Sequence, residues 1–343
     1  MAEGERRALI TGVTGQDGSY LAEQLLERGY EVHGILRRSS SPNTARIEHL
    51  LPSPDGGGGA LQTHYADLSD SSGLAALIDR VHPDEIYHLG AQSQVDVSFE
   101  LPVQTFDITG TGTVRLLEAL REAGVDARFC QACSSEMFGS SPAPQSESTR
   151  FAPRNPYAIA KLASYWAAVN YREAYGMHIV NGILFNHESP RRGEAFVTRK
   201  ITRGVARIRA GIQERIPLGN LDAKRDWGYS PDYMRALQLM VAAPEPDDFV
   251  VATGRQHSVR DFLALACECA GIDDPASRYE IDPRFFRPTD VDSLCGDAAK
   301  IRARLGWEPT LELGEMVRMM VEADIAELEI STSSSFAGRA ASD

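Results

Sequence analysis

The stretch that indicates the fold class is Ala8-Leu-Ile-Thr-Gly-Val-Thr-Gly-Gln-Asp-Gly18, a short apolar run that passes into spaced glycines. Residues 20–29 follow with helical spacing of their leucines, and a second apolar run covers residues 30–36. The order strand, glycine turn, helix, strand is the unit of a parallel sheet with right-handed crossovers. These residues therefore predict an α/β fold with a Rossmann-like, doubly wound parallel sheet.

The same alternation continues as far as Phe185. Further helices are predicted over residues 71–81, 110–123 and 156–175, and further strands over 85–89, 128–132 and 178–184. Beyond this point prolines and glycines interrupt short apolar segments until a last helical pattern at 313–327.

We therefore predict two domains and a tail. The cofactor-binding Rossmann domain comprises residues 1–185 plus about 226–253, and a smaller mixed α/β substrate domain comprises 186–225 plus 254–330. Residues 331–343 are predicted to be a flexible tail, and the glycine-rich segment 52–60 a mobile surface insertion.

Composition restricts the possible functions. The chain has 343 residues, of which 43% are hydrophobic and 24% are charged, so it is globular rather than disordered or fibrous. Its net charge of −13 disfavours a protein that coats nucleic acid or an anionic membrane. No apolar stretch approaches the roughly 18 residues of a membrane span, and the first seven residues are polar. We expect a cytoplasmic protein with a small-molecule partner.

The five cysteines predict neither disulfides nor a metal site. An odd number in a chain of this size is consistent with reduced thiols. The Cys267-x-Cys269 spacing does not fit a zinc knuckle, and Cys130 and Cys133 lie along a predicted strand.

The glycines at positions 12, 15 and 18 lie between a predicted strand and a predicted helix. Glycine permits a tight turn and close approach of backbone N–H groups to a pyrophosphate, whose charge a helix N-terminus favours. A glycine pattern alone could be an ordinary turn, but its position here favours a dinucleotide site.

The residues after the second predicted strand indicate which dinucleotide binds. About 20 residues beyond the glycines, where NAD-binding folds place an acid, this chain has Arg37 and Arg38. Arginine forms charge-assisted hydrogen bonds with a 2′-phosphate. The sequence therefore predicts NADP rather than NAD, the alternative being two solvated surface arginines.

Four residues form a candidate catalytic set. Tyr157 and Lys161 are four residues apart in a predicted helix and so share a face. A nearby ammonium and the positive ring of an oxidised nicotinamide can lower the pKa of a phenol in a site shielded from water. Ser134 and Glu136 follow a predicted strand at the sheet edge that binds ligands in open α/β folds. An exposed Tyr–Lys pair and a surface acid are the alternatives.

Taken together, these motifs resemble the extended short-chain dehydrogenase/reductase superfamily, and longer strings are similar to the GDP-mannose 4,6-dehydratase family. The longest is Asn181-Gly-Ile-Leu-Phe-Asn-His-Glu-Ser-Pro-Arg-Arg-Gly193. The others are residues 14–23, 37–40, 46–50, 90–93, 134–139, 196–201, 219–228 and 287–292. The similarity extends to about residue 327.

The resemblance implies specific roles. It implies catalytic roles for Ser134, Glu136, Tyr157 and Lys161. It implies NADP contacts at Gly12, Thr14, Gly15, Gln16, Asp17, Gly18, Arg37, Arg38, Asp67, Leu68, Leu89, Ala91, Gln92, Ser93, Lys161, His187 and Arg192. It implies contacts with a GDP-sugar at Ser93, Ser134, Glu136, Asn186, Val197, Lys200, Gly219, Arg225 and Arg287. Arg38, Ser39 and Ser40 match a loop that reaches a neighbour's cofactor in tetrameric relatives, so a homodimer or homotetramer is expected.

The implied reaction converts GDP-mannose to GDP-4-keto-6-deoxymannose, with loss of water and internal hydride transfer from C4 to C6. Two positions depart from the usual family strings. Asn155 precedes Pro-Tyr where serine is usual, and Gln94 replaces a histidine beside the expected sugar pocket.

Other functions share part of this pattern. A dehydratase of a related GDP-sugar such as GDP-heptose, or a nucleotide-sugar 4-epimerase or reductase, would use the same hydride step. Glu136 argues against an epimerase, because inversion at C4 needs no base at C5. A non-catalytic NADP sensor is disfavoured by the presence of both Tyr157 and Lys161.

Overall fold

The structure is a computed structural model that describes residues 6–52 and 59–340, with side chains up to Ile330. The strands are β1 (Arg7–Thr11), β2 (Glu31–Leu36), β3 (Gln62–Tyr65), β4 (Glu85–His88), β5 (Arg128–Ser134), β6 (Ile179–Leu184), β7 (Asn186–Glu188), β8 (Ile216–Leu218), β9 (Lys224–Tyr229), β10 (Asp248–Val251), β11 (Gln256–Ser258) and β12 (Tyr279–Ile281). The helices are α1 (Gln16–Glu27), α2 (Ser71–Val81), α3 (Val95–Glu100), α4 (Pro102–Phe106), α5 (Gly112–Ala123), α6 (Pro156–Tyr175), α7 (Val197–Arg209), α8 (Ser230–Ala242), α9 (Val259–Ala270), α10 (Ala299–Leu305) and α11 (Leu313–Ala340).

Seven strands form one parallel sheet in the order β3-β2-β1-β4-β5-β6-β10. The strand order reverses between β1 and β4, and ligands bind in the crevice at such a switch point, beyond the carboxyl ends of the strands. Helices cover the sheet, so the predicted Rossmann-like fold class is confirmed.

Part of the chain beyond residue 185 also belongs to this sheet. β10 is its edge strand, next to β6. Gly182 in β6 leaves room for α8, because a Cβ there would lie 2.8 Å from a methyl group of Leu237 and 3.4 Å from the terminal methyl of Met240. The segment around 226–253 therefore contributes to two sheets. β10 belongs to the seven-stranded sheet, whereas β9 pairs with β7 and β11.

The remaining elements build a second, smaller core. β7, β9 and β11 form a three-stranded sheet, and β8 pairs with β12. Helices α7, α9 and α11 pack together through apolar side chains that include Val205, Phe262 and Val317. The domain boundaries stay a prediction, although β7 follows β6 after a single residue and so directly joins the two sheets.

Several elements differ from the sequence prediction. β3 was not predicted, because Gln62-Thr-His-Tyr65 lacks an apolar run and is largely exposed. β5 extends two residues beyond the predicted 128–132, since Cys133 and Ser134 continue to pair with Ile183 and Leu184. A π-helical turn, Asp107–Thr111, precedes α5 and takes the place of the first residues of the predicted helix at 110–123.

The two predicted mobile segments fall largely on residues that the structure does not fully describe. Residues 53–58 and 341–343 lie outside the described residues. Helix α11 continues through residues 331–340, beyond the predicted helix over 313–327. The flexibility of 331–343 stays a prediction.

The described residues offer neither a membrane span nor a metal site. No helix between residues 6 and 340 is long and apolar enough to cross a membrane. Within the same described ranges, no three His, Cys, Asp or Glu side chains are grouped so that they could hold a metal ion. The five cysteines are free thiols.

Candidate active site

The glycine loop between β1 and α1 has a shape that only glycine allows. Gly12 has a φ of +75°, and a Cβ there would lie 3.0 Å from the backbone of Gly90. A Cβ on Gly18 would lie 2.3 Å from the carbonyl oxygen of Gly12. Gly15 is the N-cap of α1, and its own N–H donates to the Gly12 carbonyl at 3.0 Å, so the helix N-terminus with its backbone donors follows from Gln16. This cradle fits the pyrophosphate of a dinucleotide.

The side chains of Gln16 and Asp17 tie this loop to β7. Asp17 Oδ2 lies 2.9 Å from His187 Nε2, and Ser230 donates to Asp17 Oδ1 at 2.8 Å. Gln16 donates to the His187 carbonyl at 3.1 Å. Burial acts against the charged forms, but the attraction between the two groups raises the pKa of His187 and holds that of Asp17 well below its usual value. Among the predicted cofactor residues, these three thus fix the position of the loop.

The other predicted cofactor residues lie around the switch point. Leu89, Ala91, Gln92 and Ser93 follow β4, and Gly90 N donates to Thr11 Oγ1 at 2.8 Å. Leu68 is buried, and a Cβ on Gly90 would lie 3.1 Å from its Cδ1 atom. Asp67 accepts a hydrogen bond from Ser69 N at 2.9 Å. Thr14 O accepts from Arg46 at 3.4 Å. Arg37 and Arg38 are exposed directly after β2.

The four predicted catalytic residues come from two neighbouring elements. Ser134 ends β5, and its Oγ accepts from Glu136 N at 3.2 Å, which turns the chain so that Glu136 follows at the sheet edge. Tyr157 and Lys161 lie in the first two turns of α6, whose first residue is Pro156. Glu136 is 8% exposed and Lys161 is 4% exposed, so both charges lie away from bulk water.

Electrostatics link Tyr157 to its neighbours. Burial raises the pKa of Tyr157, and the charge of Glu136 adds to this effect, whereas a hydrogen bond with Ser134 and the charge of Arg192 lower it. The two predicted proton-transfer groups, Glu136 and Tyr157, therefore act on each other within one cleft.

Lys161 is hydrogen-bonded to the backbone of β5. Its Nζ donates to the Ala132 carbonyl oxygen at 2.6 Å, and burial lowers its pKa to about 8. The pKa of Tyr157 is lowered by a hydrogen bond with Ser134 and by the charge of Arg192. An effect of the Lys161 ammonium on this phenol stays a prediction.

Arg287 lies close enough to Glu136 for their charges to interact. Its Nε donates to Asp96 Oδ1 at 2.7 Å, and its NH1 is 4.0 Å from Asp290. Burial lowers its pKa, but the negative charges of Glu136 and Asp96 raise it overall. Arg287 therefore faces the same space as Glu136.

Four further predicted substrate residues lie on β7, on α7 and directly after β8. Lys200 Nζ lies 3.0 Å from the ring centroid of Phe285, and a Cβ on Gly219 would lie 2.5 Å from the Phe285 carbonyl. Val197 begins α7 and is exposed, while Asn186 begins β7 with its buried Oδ1 unpaired among the described residues. Lys200 and Gly219 thus both lie next to Phe285.

Arg225 is held differently from Lys200. Its NH1 donates to the carbonyls of Lys224 at 2.9 Å and Val291 at 2.8 Å, and its NH2 lies 3.6 Å from Asp290. The structure thus brings Arg225 and Arg287 to the same carboxylate.

Two residues that contact the site were not predicted as site residues. Asn155 donates to the Glu136 carboxylate, and Asp96 holds Arg287. An asparagine before Pro156 is a recognisable helix N-cap signal. Neither contact has a sequence signal, because the partners are 19 and 191 residues apart.

The parallel sheet, glycine cradle and Ser–Glu–Tyr–Lys set define an extended short-chain dehydrogenase/reductase. Residues 9–320 match the family described as GDP-mannose 4,6 dehydratase. The chain is 54% identical over 323 residues to "GDP-mannose 4,6 dehydratase 1" of Arabidopsis thaliana, covering 93% of this chain and 89% of that protein. It is 50% identical over 350 residues to "GDP-mannose 4,6-dehydratase" of Vibrio cholerae, covering 94% of each.

Among solved structures, UDP-glucose 4-epimerase of Thermus thermophilus in complex with NAD matches 93% of this chain and 98% of that one, with 27% identity and a TM-score of 0.79. The chain belongs to the GDP-mannose 4,6 dehydratase family.

Proposed function

We propose that this protein is a hydro-lyase that converts GDP-mannose to GDP-4-keto-6-deoxymannose with a recycled nicotinamide cofactor. Its similar relatives carry the name of this activity. The observation that supports it most directly is the buried carboxylate of Glu136 beside the Tyr157 phenol at the carboxyl end of β5. A dehydrogenase or epimerase needs the phenol alone, whereas a 4,6-dehydration also needs a base for C5.

A nicotinamide dinucleotide fits the glycine cradle, and the similar Thermus structure holds NAD. When bound, the cofactor supplies reversible hydride transfer at C4 and then at C6 of the sugar. We propose NADP as the form used, because Arg37 and Arg38 are exposed after β2 at the usual position of a ribose-binding acid.

Tyr157 takes the proton of the O4 hydroxyl as C4 of the sugar is oxidised to a ketone. The Ser134 hydroxyl and the positive charge of Arg192 favour the phenolate that this step requires. Lys161 is mainly an ammonium at neutral pH, since its pKa is about 8, and it supplies a buried positive charge. The 4-keto group makes the C5 proton acidic.

Glu136 then removes the C5 proton, and the electron pair of the C5–H bond passes into the enolate of the C4 ketone. Glu136 returns this proton to the C6 hydroxyl, the C6–O bond breaks and water leaves. Hydride addition at C6 and protonation at C5 complete the reaction. The net change is the loss of one water, and the proton taken from O4 balances the proton gained at C5.

The cations across the cleft suit the diphosphate of the substrate. Arg287 and Arg225 can form charge-assisted hydrogen bonds with phosphate oxygens, and Lys200 can act as a point charge. Asn186, Val197 and Gly219 lie in the same region. We propose that the GDP portion binds there while the hexose reaches Glu136.

The activity is tested with purified protein, NADP and GDP-mannose, and without added reductant. We expect a product lighter by one water in mass spectrometry, with deuterium at C5 when the reaction runs in heavy water. Parallel reactions with GDP-heptose, UDP-hexoses and dTDP-hexoses define the sugar. A GDP-hexose product that is inverted at C4 and has lost no water would refute the proposal.

The cofactor is tested separately with Arg37→Ala. We expect a loss of roughly tenfold or more in affinity for NADP and little change for NAD, because only NADP carries the 2′-phosphate. Titration of protein fluorescence with each cofactor measures this difference. Equal losses for both would contradict the 2′-phosphate assignment.

We propose that the protein acts in the cytoplasm as a homodimer or homotetramer. Apolar side chains on α4 and α6 are exposed, including Val103 (81%), Phe106, Ile159 and Trp166. An apolar surface of this kind favours association with a second copy. Light scattering with Trp166→Glu beside the unchanged protein tests this, and a monomer in both cases would refute it.

A further inference from the structure

Asn155 connects the helix that carries Tyr157 with the carboxylate of Glu136. It is the N-cap of α6, and its Oδ1 accepts from Ala158 N at 2.7 Å. Its Nδ2 donates to Glu136 Oε2 at 2.9 Å, and both side chains are buried. One amide therefore bonds at the same time to the start of the helix and to the candidate base.

The cap fixes which way the amide faces. Because the helix N-terminus presents an N–H donor, it requires an oxygen from the capping side chain. The amide nitrogen must then point to Glu136, and rotating the amide by a half turn would lose both hydrogen bonds. Asn155 can therefore only donate to the carboxylate.

This constraint makes the two oxygens of Glu136 inequivalent. Oε2 faces the amide hydrogens, where a carboxyl proton would meet another donor, so a proton taken up by the group belongs on Oε1. The hydrogen bond to Oε2 can persist when the group is ionised and when it is protonated.

We propose that Asn155 is a positioning residue that holds Oε2 of Glu136 and thereby makes Oε1 the oxygen that takes the C5 proton and delivers it to the departing C6 hydroxyl. This inference rests on the proposed function. In the step concerned, the C5–H bond breaks, an O–H bond forms at Oε1, and the same proton leaves with the C6 oxygen as water.

Other groups face Glu136 and set the background for this role. Tyr157 on α6 couples to it electrostatically, and Arg287 faces it from the loop before Asp290. The Glu136 backbone N–H is bonded to Ser134. Among the groups that the described structure shows in hydrogen-bond contact with the carboxylate oxygens, the donor is the Asn155 amide.

A serine at position 155 can cap the helix through its hydroxyl, but its side chain lacks the amide nitrogen that reaches Glu136. The cap and the contact with Glu136 can therefore be separated by substitution. Asn155→Ser keeps an N-cap and removes the long donor. Asn155→Asp also keeps an N-cap, but places a second carboxylate against the first.

The test measures two steps in each variant with GDP-mannose and NADP. Absorbance of the reduced nicotinamide in a single turnover follows oxidation at C4, and mass spectrometry follows the dehydrated product. For Asn155→Ser we expect oxidation within about twofold of the unchanged protein and product formation reduced about tenfold. For Asn155→Asp we expect a larger loss, with the acid limb of the pH–rate profile moved to higher pH, because two adjacent carboxylates resist joint ionisation.

Asp70→Ala is the matched control for loss of a cap. Asp70 caps α2 through Gly73 N at 3.0 Å on an exposed surface, so its removal should lower the melting temperature and leave the ratio of the two steps unchanged. If both Asn155 variants slow the two steps equally, or leave product formation and its pH profile unchanged, the positioning role is wrong. If the unchanged protein forms no product, the proposed function fails instead.

Discussion

The two walls of the cleft are built in different ways. On the wall formed by β5 and α6, Glu136 and Lys161 are buried and bonded to Asn155 and Ala132, partners less than 30 residues away. On the wall that carries Arg287, the cation is paired with Asp96, which is 67% exposed and 191 residues away.

We expect this difference to separate chemistry from binding. The first wall is preorganised, since its groups are held by hydrogen bonds that need no ligand. On the second wall, carboxylates pair with the arginines, so we expect binding of a substrate diphosphate to require an exchange of ion-pair partners. Substitutions on the first wall should therefore change kcat, and those on the second wall should change mainly KM.

The largest effect is expected for Glu136→Gln. We predict a loss of dehydrated product of about 10²- to 10⁴-fold, because glutamine can neither accept the C5 proton nor return it to the C6 hydroxyl. Cofactor affinity should be unchanged, and a 4-keto hexose that retains its C6 hydroxyl should accumulate. Product mass and cofactor titration measure both expectations. Full dehydration activity would show that the base lies elsewhere.

Lys161→Met tests whether the first wall is held at a cost in stability. Burial lowers the pKa of Lys161 from 10.5 to about 8, so the folded state binds this proton less tightly than the unfolded state does. At about 1.4 kcal/mol per pKa unit, the buried ammonium destabilises the fold by up to about 3 kcal/mol below pH 8. The variant should therefore be more stable than the unchanged protein at neutral pH, and less active.

The sign of the pH dependence is fixed by the same shift. Between pH 8 and 10.5 the unfolded state holds more protons than the folded state, so the stability of the unchanged protein rises with pH. The advantage of Lys161→Met should shrink over this range. Denaturant unfolding at several pH values measures the difference in stability between the two proteins. Lys300→Met is the control, because it removes a lysine whose ion pair with Asp247 lies outside the candidate site. A gain that does not vary with pH would contradict this explanation.

Arg287→Ala tests the second wall. A charge-assisted hydrogen bond contributes about 1.5–3 kcal/mol, so kcat/KM for GDP-mannose should fall about 10- to 100-fold. Most of the loss should appear in KM, because the diphosphate is bound equally in the ground and transition states. Steady-state kinetics check this split. A fall in kcat at unchanged KM would place Arg287 with the catalytic wall instead.

Most elements of the first wall could be predicted from the sequence, although its Asn155–Glu136 contact could not. Its elements are local patterns, namely an apolar strand and the pair Tyr157 and Lys161 on one helix face, and the glycine turn after β1 is a pattern of the same kind. The predicted helices at 71–81 and 156–175 match α2 and α6 residue for residue. Patterns of this kind depend on residues close together in the chain, so they can be recognised without a structure.

The second wall could be predicted only as a set of residue types. The basic residues Lys200, Arg225 and Arg287 were identified through the resemblance, but their partners were not. Asp96 meets Arg287 because α3 and the loop before Asp290 approach in space, and no spacing in the sequence encodes that contact. The short and exposed β3 was missed for a related reason, since its pairing with β2 rather than its composition defines it.

The smallest effect is expected for Asp96→Asn, and it bears most directly on the contrast between the walls. Asp96 is exposed, and exposed ion pairs contribute about 0.2–1 kcal/mol after screening by solvent. Removing its charge frees Arg287 for the substrate diphosphate, so KM should fall by up to about fivefold at unchanged kcat.

The expected fall in KM should also become smaller as salt is added. Asp96 and the diphosphate compete for Arg287 through electrostatic attraction, and salt screens both attractions. Asp222→Asn is the matched control, since it removes the same charge from another exposed pair, with Arg260. If both variants lower KM equally, the effect is one of net charge on a substrate anion. If Asp96→Asn raises KM, the Asp96–Arg287 pair orients the arginine for binding, and the second wall is preorganised like the first.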